Sequence, residues 1–321
     1  MLCFVVLNVA VAKKNREAPN QYYGLAIGLV IVAGAYGAGA VSGGCFNPAV
    51  AFGIHVSSAF VGFGWSLLYI LFECLGAALA VLLFRIVRPE DFELPKTGKE
   101  ELVSEFLGTF MLVLTVGLNV LGKSKAGAFS IAAALTAMIY ALGDVSGAHF
   151  NPAVTVSILF SGRNPELTLS KAGIYSAAQA LGGLCAAGTY CFIYAGQSFP
   201  LGPVGISSWR QVVVAETVFS FLLCFVVLSV AVSEQTRSSE MFGLLIGSCV
   251  TVGGFAVGGI SGGSLNPAVS LGVAAVDVLN GGLFYPALAY GLLELLGAAM
   301  AAGVFRITHE VDLLETEKLM S

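Results

Sequence analysis

SGGCFNPAV (42–50), SGAHFNPAV (146–154) and SGGSLNPAV (261–269) are three versions of one phrase. Each is a helix start. Asn is a strong N-cap, because its side-chain oxygen accepts a backbone N–H of the first turn. Pro in the next position lacks only an N–H that would have no partner there. The apolar runs that follow are short: VAFGIHV, VTVSILF and VSLGVAAV. Roughly nine residues at 1.5 Å rise cover ~13 Å, about half of a ~30 Å hydrocarbon core. Irregular backbone at that depth is tolerated only where it is buried in protein or lines a wet cavity. The runs therefore read as re-entrant half-helices, and two that enter from opposite faces meet near the middle. Three is an odd number, so one copy is left without a partner.

The composition agrees with a membrane setting. The chain of 321 residues is 57% hydrophobic and 11% charged, with mean hydropathy +0.89, greasier than a soluble domain of this length. Its 40 glycines suit close helix–helix contact in a bilayer. Net charge is −4 with no basic cluster, which argues against a nucleic-acid partner. The seven cysteines lie in apolar stretches without metal-ligand spacing and read as packing residues. No nucleophile–base or metal constellation is present, so we expect no catalytic residue, no metal, no cofactor and no enzymatic activity. The start, MLCFVVLNVAVAKKN, imitates a signal peptide, but its charges follow the apolar run instead of preceding it.

A spanning helix needs about 20 apolar residues. Candidates run over about 22–42, 64–85, 103–122, 127–145, 170–193, 211–233, 241–259 and 283–305. The segment 1–12 is too short and looks like the tail of a span. With residues 13–21 facing the cytosol, alternation puts all but Lys123, Lys125 and Arg210 of the 15 basic residues inside, a strong positive-inside bias. The C-terminus is then cytosolic.

The halves repeat. Glu105-Phe-Leu-Gly-Thr-Phe110 is echoed by Glu216-Thr-Val-Phe-Ser-Phe221, and each leads to its own Asn-Pro-Ala. An odd number of spans between them gives the repeats opposite topology. Residues 1–90 follow the later half: CFVVLNVAV (3–11) matches CFVVLSVAV (224–232), YGLAIG (23–28) matches FGLLIG (242–247), and ECLGAALAVLLFRI (73–86) matches ELLGAAMAAGVFRI (294–307). The order is B-type half, A-type half, B-type half.

On these motifs residues 101–306 resemble a complete aquaporin (major intrinsic protein) subunit, and residues 1–90 resemble the back half of a second one. The resemblance implies an all-α membrane fold: an inverted-repeat bundle of six spanning helices and two re-entrant half-helices, preceded by an extra half-bundle with a third. The expected divisions are 1–90 for the incomplete half-repeat, 91–101 for a cytosolic linker, 102–308 for the channel and 309–321 for a cytosolic tail. The family commonly forms homotetramers, and a lipid bilayer is its setting.

Asn151-Pro152-Ala153 and Asn266-Pro267-Ala268 are expected to form the pore centre, with Asn47-Pro48-Ala49 unpaired. The cap leaves each Asn NH2 free to donate to a passing water. Each half-helix N-terminus adds roughly half a positive charge, which repels cations. By resemblance, the carbonyls of Gly147, Ala148, His149, Gly262, Gly263 and Ser264 form acceptor ladders, and Glu105 and Glu216 brace the re-entrant loops. His149 is a loop brace rather than a metal ligand, and His55 is structural.

Family geometry places the narrow filter at Ile131, Gly254, Gly263 and Val269. The aromatic, His and Arg usual in water-selective members are all missing, and Val269 stands in place of the Arg. Gly254 and Gly263 leave space. A wide, apolar filter is expected, passing water and small neutral solutes such as glycerol, urea, ammonia or hydrogen peroxide. Pro286 leans toward glycerol facilitators and Ser270 and Ala274 toward water channels. A junctional or scaffolding protein with a vestigial pore, or a secondary transporter, are the alternatives. Three readings of residues 1–90 stay open: the end of an upstream repeat in a tandem channel, a degenerate flank beside the pore, or a competitor of residues 211–306 for the A-type half.

Overall fold

The computed structural model describes residues 1–310, so the expected tail lies almost wholly outside the described residues. The first half runs through α1 (Leu2–Val6), a π turn (Leu7–Val11), α2 (Lys13–Glu17), α3 (Tyr23–Ser42), α4 (Pro48–Ser57) and α5 (Phe63–Val87). A 3-10 turn (Pro89–Phe92) leads to α6 (Lys99–Leu121), α7 (Gly127–Ser146), α8 (Pro152–Ser161) and α9 (Leu169–Ile193). The last half is α10 (Trp209–Val227) with a π turn (Leu228–Val232), α11 (Phe242–Ser261), α12 (Pro267–Val278) and α13 (Tyr285–Thr308).

Seven of the described helices are long and apolar enough to cross a membrane: α3, α5, α6, α7, α10 with its π turn, α11 and α13. The eighth expected span, α9, has the length, with 25 residues. Its polar Tyr175, Gln179 and Tyr190 lower its hydropathy, and all three are buried. The polar side chains face protein, not lipid.

The three half-helices begin as the motif dictates. Asn47, Asn151 and Asn266 are extended, at φ −152°, −158° and −157°, and each side chain accepts the N–H of the Ala two residues on. The loops before them share one backbone. Positive φ recurs at Gly43, Gly44 and Phe46, at Gly147, Ala148 and Phe150, and at Gly262, Gly263 and Leu265. Left-handed backbone is strained for a residue with a side chain. Ala148, Phe46, Phe150 and Leu265 hold it because the surrounding helices enforce it.

Residues 99–308 form the six-span bundle with two half-helices. α6 packs on α7 and α9, α10 on α11 and α13, and α7 on α11 across the join. Each half-helix also inserts between the other half's helices: α8 lies against α13, and α12 against α9. The halves are therefore threaded into each other rather than laid side by side. The exchanged pairing of α4 with the A-type half is not the one adopted.

The extra half sits on the outside of this bundle. α3 lies along α7 and α6, α1 touches α5, α3 and α7, and α4 packs on α5. Its likeness to α10–α13 extends to a rare detail. π turns are uncommon, yet one occurs at matching places in CFVVLNVAV and CFVVLSVAV. A buried Arg88 holds the extra half in place. Its guanidinium donates to both oxygens of Asp144 on α7, to the Asn8 side chain at 2.9 Å and to the Ala141 carbonyl at 2.9 Å. The Lys14 ammonium adds a second contact to Asp144 at 2.7 Å. Burial pulls that ammonium below its usual range, against the opposing pull of Asp144. Tyr22 stacks on Tyr140 with ring centroids 4.2 Å apart.

Candidate pore site

The two inner motifs meet and bond reciprocally. Asn151 Nδ2 donates to the Leu265 carbonyl at 2.8 Å, and Asn266 Nδ2 donates to the Phe150 carbonyl at 2.9 Å. Both side-chain oxygens are taken by their own caps, at 2.8 and 2.9 Å. This corrects the sequence expectation that each amide is free for water. Each NH2 has two hydrogens. One of them ties the opposite loop, and only the second remains for a solute. Ala153 and Ala268 are fully buried, so Pro-Ala forms the seam between the helix ends rather than the pore wall.

A cavity of about 670 Å³ runs through the bundle, lined by both Asn residues. The six expected ladder residues, Gly147, Ala148, His149, Gly262, Gly263 and Ser264, all line it. So do the four expected filter residues, Ile131, Gly254, Gly263 and Val269. Lys123 and Ser124 border one end, and Arg163 and Arg237 the other. Charge is thus found at the mouths, while the middle is apolar apart from the loops.

The two glycines among the expected filter residues have packing and backbone reasons of their own. A Cβ on Gly254 would fall 2.6 Å from the Cβ of Ala128, so glycine is needed for α11 to approach α7. Gly263 has φ +67°, a conformation that favours glycine. Their identities are set by packing and backbone as well as by the width of the path. Val269 and Ile131 are the two expected filter positions that present a side chain to the cavity.

The loops are braced from behind. Glu105 accepts the Ser146 hydroxyl at 2.6 Å and the His149 N–H at 3.0 Å on one oxygen. Its other oxygen accepts the Phe150 N–H at 2.7 Å and the Gln179 amide at 2.8 Å. Glu216 accepts the Ser261 hydroxyl, the Ser264 N–H at 3.3 Å and the Leu265 N–H at 3.0 Å. His149 lies with Nδ1 3.1 Å from the Thr155 hydroxyl and its ring edge-on to Tyr175. His55 Nδ1 lies 2.9 Å from the Ala51 carbonyl of its own helix.

Sequence reasoning missed a second set of braces. Glu294 accepts the Asn266 N–H and the Ser270 hydroxyl, both at 3.0 Å. The Tyr290 hydroxyl donates to the Ser261 carbonyl at 2.6 Å, and that of Tyr175 lies 3.2 Å from the Ser146 carbonyl. The signal was available. Tyr69 and Glu73, Tyr175 and Gln179, and Tyr290 and Glu294 share one spacing of four, which puts each pair on one helix face.

Comparison with known proteins fits this geometry. The major intrinsic protein profile matches the chain twice, over residues 1–118 and 95–305. The chain belongs to the major intrinsic protein family. Members of that family are membrane channels, not enzymes. This chain is a multi-pass integral membrane protein. Aquaporin NIP1-1 of Oryza sativa subsp. japonica is 35% identical over 182 residues, which are 54% of this chain and 62% of the relative. Aquaporin NIP2-1 of the same plant is 35% identical over 198 residues, 56% of this chain and 62% of the relative. The chain thus spans about six-tenths of the length of these curated relatives. The aquaglyceroporin from Plasmodium falciparum superposes with TM-score 0.56 at 20% identity, covering 68% of this chain and all of that one. At that identity it is a likeness of fold.

Proposed function

We propose that residues 102–308 form a passive channel for water and small neutral solutes, with Ile131, Gly254, Gly263 and Val269 as its selectivity filter. The observation that carries this reading is one continuous cavity lined by those four residues and by the two facing Asn amides. Val269 supplies neither charge nor donor at the place where water-selective relatives carry Arg. The acceptor carbonyls of residues 147–149 and 262–264 and the second hydrogen of each Asn guide a single file of molecules. The two half-helix N-termini oppose cations, which favours neutral cargo. The printed names of the relatives, aquaporins and an aquaglyceroporin, are in keeping with water and polyol as cargo. Arg163 and Arg237 at one mouth support a cytosolic placement of that end and of the C-terminus. A homotetramer is the assembly that the family resemblance supports.

Stopped-flow shrinkage of proteoliposomes tests the filter. Water, urea and glycerol should all permeate, and passage of water alone overturns the wide-filter reading. Val269→Arg should cut urea and glycerol flux roughly tenfold, equivalent to ~1.4 kcal/mol of barrier, and reduce water flux much less. Unchanged urea flux in that variant takes position 269 out of the filter.

A further inference from the structure

The extra half holds a preformed but unfilled version of the contacts that join the other two halves. Its loop has the paired loops' backbone, with positive φ at Gly43, Gly44 and Phe46. Asn47 caps its half-helix at 2.9 Å. The Tyr69 hydroxyl ties the Ser42 carbonyl as Tyr290 ties Ser261. From there the parallel stops. Asn266 is buried and donates across to Phe150, whereas Asn47, Pro48 and Ala49 are exposed. The N–H groups of His149 and Phe150 and of Ser264 and Leu265 reach Glu105 and Glu216. Among the described residues no carboxylate accepts the backbone N–H of the corresponding Cys45 or Phe46. Glu73 occupies the place of Glu294, yet its buried carboxylate accepts no hydrogen bond from the motif's backbone and has the Cys45 thiol beside it. The outer side of α4 bares Val50, Phe52, Ile54 and Val56.

Lipid tails can cover the valines and the phenylalanine. They cannot satisfy an exposed amide and a row of loop carbonyls, since hydrocarbon offers no hydrogen bond. A second copy of the chain does not solve the problem either. Each copy has two B-type halves and one A-type half, and the A-type half is already tied through Asn151 and Leu265. Borrowing it only moves the vacancy. We propose that the face around Asn47 is a docking surface for another A-type half-channel of this family: a leading helix with an acid in the place of Glu105 and an Asn-Pro-Ala half-helix of opposite entry. Its Asn donates to the Phe46 carbonyl, Asn47 donates to its loop, and a second pore closes beside the first.

The repeat supplies its own probe. Because CFVVLNVAV (3–11) matches CFVVLSVAV (224–232), a copy of residues 95–223 joined directly before Cys3 continues α1 as a full α10-like helix. Residues 3–321 are retained behind it. Ala49→Cys is paired with Ala153→Cys in the added copy, and disulfide formation is mapped by mass spectrometry. Ala153→Cys with Ala268→Cys in the original pore is the reference pair. The expected result is a crosslink at Ala49 as efficient as the reference, with water permeability per chain rising about two-fold. A reference pair that joins while the Ala49 pair stays reduced, with flux unchanged, overturns the proposal and leaves lipid alone on that face. The crosslink reads docking without reference to flux, so a chain that joins at Ala49 but passes no water sinks the channel reading and keeps the docking surface.

Discussion

Replacing Glu105 by Ala should abolish water flux and destabilise the protein by several kcal/mol, on the order of 4. The carboxylate accepts four hydrogen bonds, from Ser146, His149, Phe150 and Gln179. It is fully buried, so water does not take its place at once. A buried donor left without an acceptor costs about 1–3 kcal/mol, and four donors lose theirs together. Partial relaxation keeps the total below the simple sum. The damage is also placed where it matters most. Phe150 supplies the carbonyl that holds Asn266, so a slack loop loosens the opposite motif as well. Glu105→Gln should be no gentle substitute. All four neighbours donate, and a Gln amide turns one acceptor into a further donor. Thermal unfolding in detergent and stopped-flow water permeability read the two effects. Full flux through the Ala variant would show that the loop holds its shape without the acid.

Gly183→Val should be comparably severe, from packing alone. A Cβ at Gly183 would lie 2.4 Å from the Ala268 carbonyl oxygen, and a Cβ at Gly272 would lie 2.6 Å from that of Gly183. The two backbones of α9 and α12 touch, with neither side able to yield through a side-chain rotation. Overpacking of this kind costs roughly 1–3 kcal/mol and more when backbone must move. The displaced residue is the Ala of the second motif, so Asn266 shifts with it and the reciprocal amide bonds break. Water flux should fall more than tenfold. Gly188, on the same helix with nothing within 4 Å of its would-be Cβ, is the control: Gly188→Ala should be near neutral. Equal behaviour of the two variants would remove close approach of α9 and α12 as the cause.

The spans were legible because each is a long apolar run, and the half-helices because Asn-Pro is a local signal read without any partner. The repeat told which motifs face each other. What the chain did not disclose depends on distance in space. That Asn151 and Asn266 each give one hydrogen to the facing loop follows only once the loops are seen 2.8–2.9 Å apart. The tight fit of Gly254 on Ala128 is likewise invisible in a list of filter residues, where a glycine reads simply as room. Arg88 looked like one more cytosolic cation, and its partner Asp144 lies 56 residues away. Glu294, Tyr175 and Tyr290 are a different case. Their shared spacing of four is visible in the sequence, but that these faces turn toward the loops is not.

The reciprocal bonds between the two inner motifs also set a timetable for biosynthesis. Asn151 finds its acceptor 114 residues further along the chain. At about 5–20 residues per second of translation, roughly 6 to 23 s pass before that carbonyl exists. During that interval the nascent A-type half has its loop braced by its own Glu105, while the Asn151 amide and the Phe150 carbonyl lack the partners of the later half. The two cross-half bonds therefore form last, when the second half arrives.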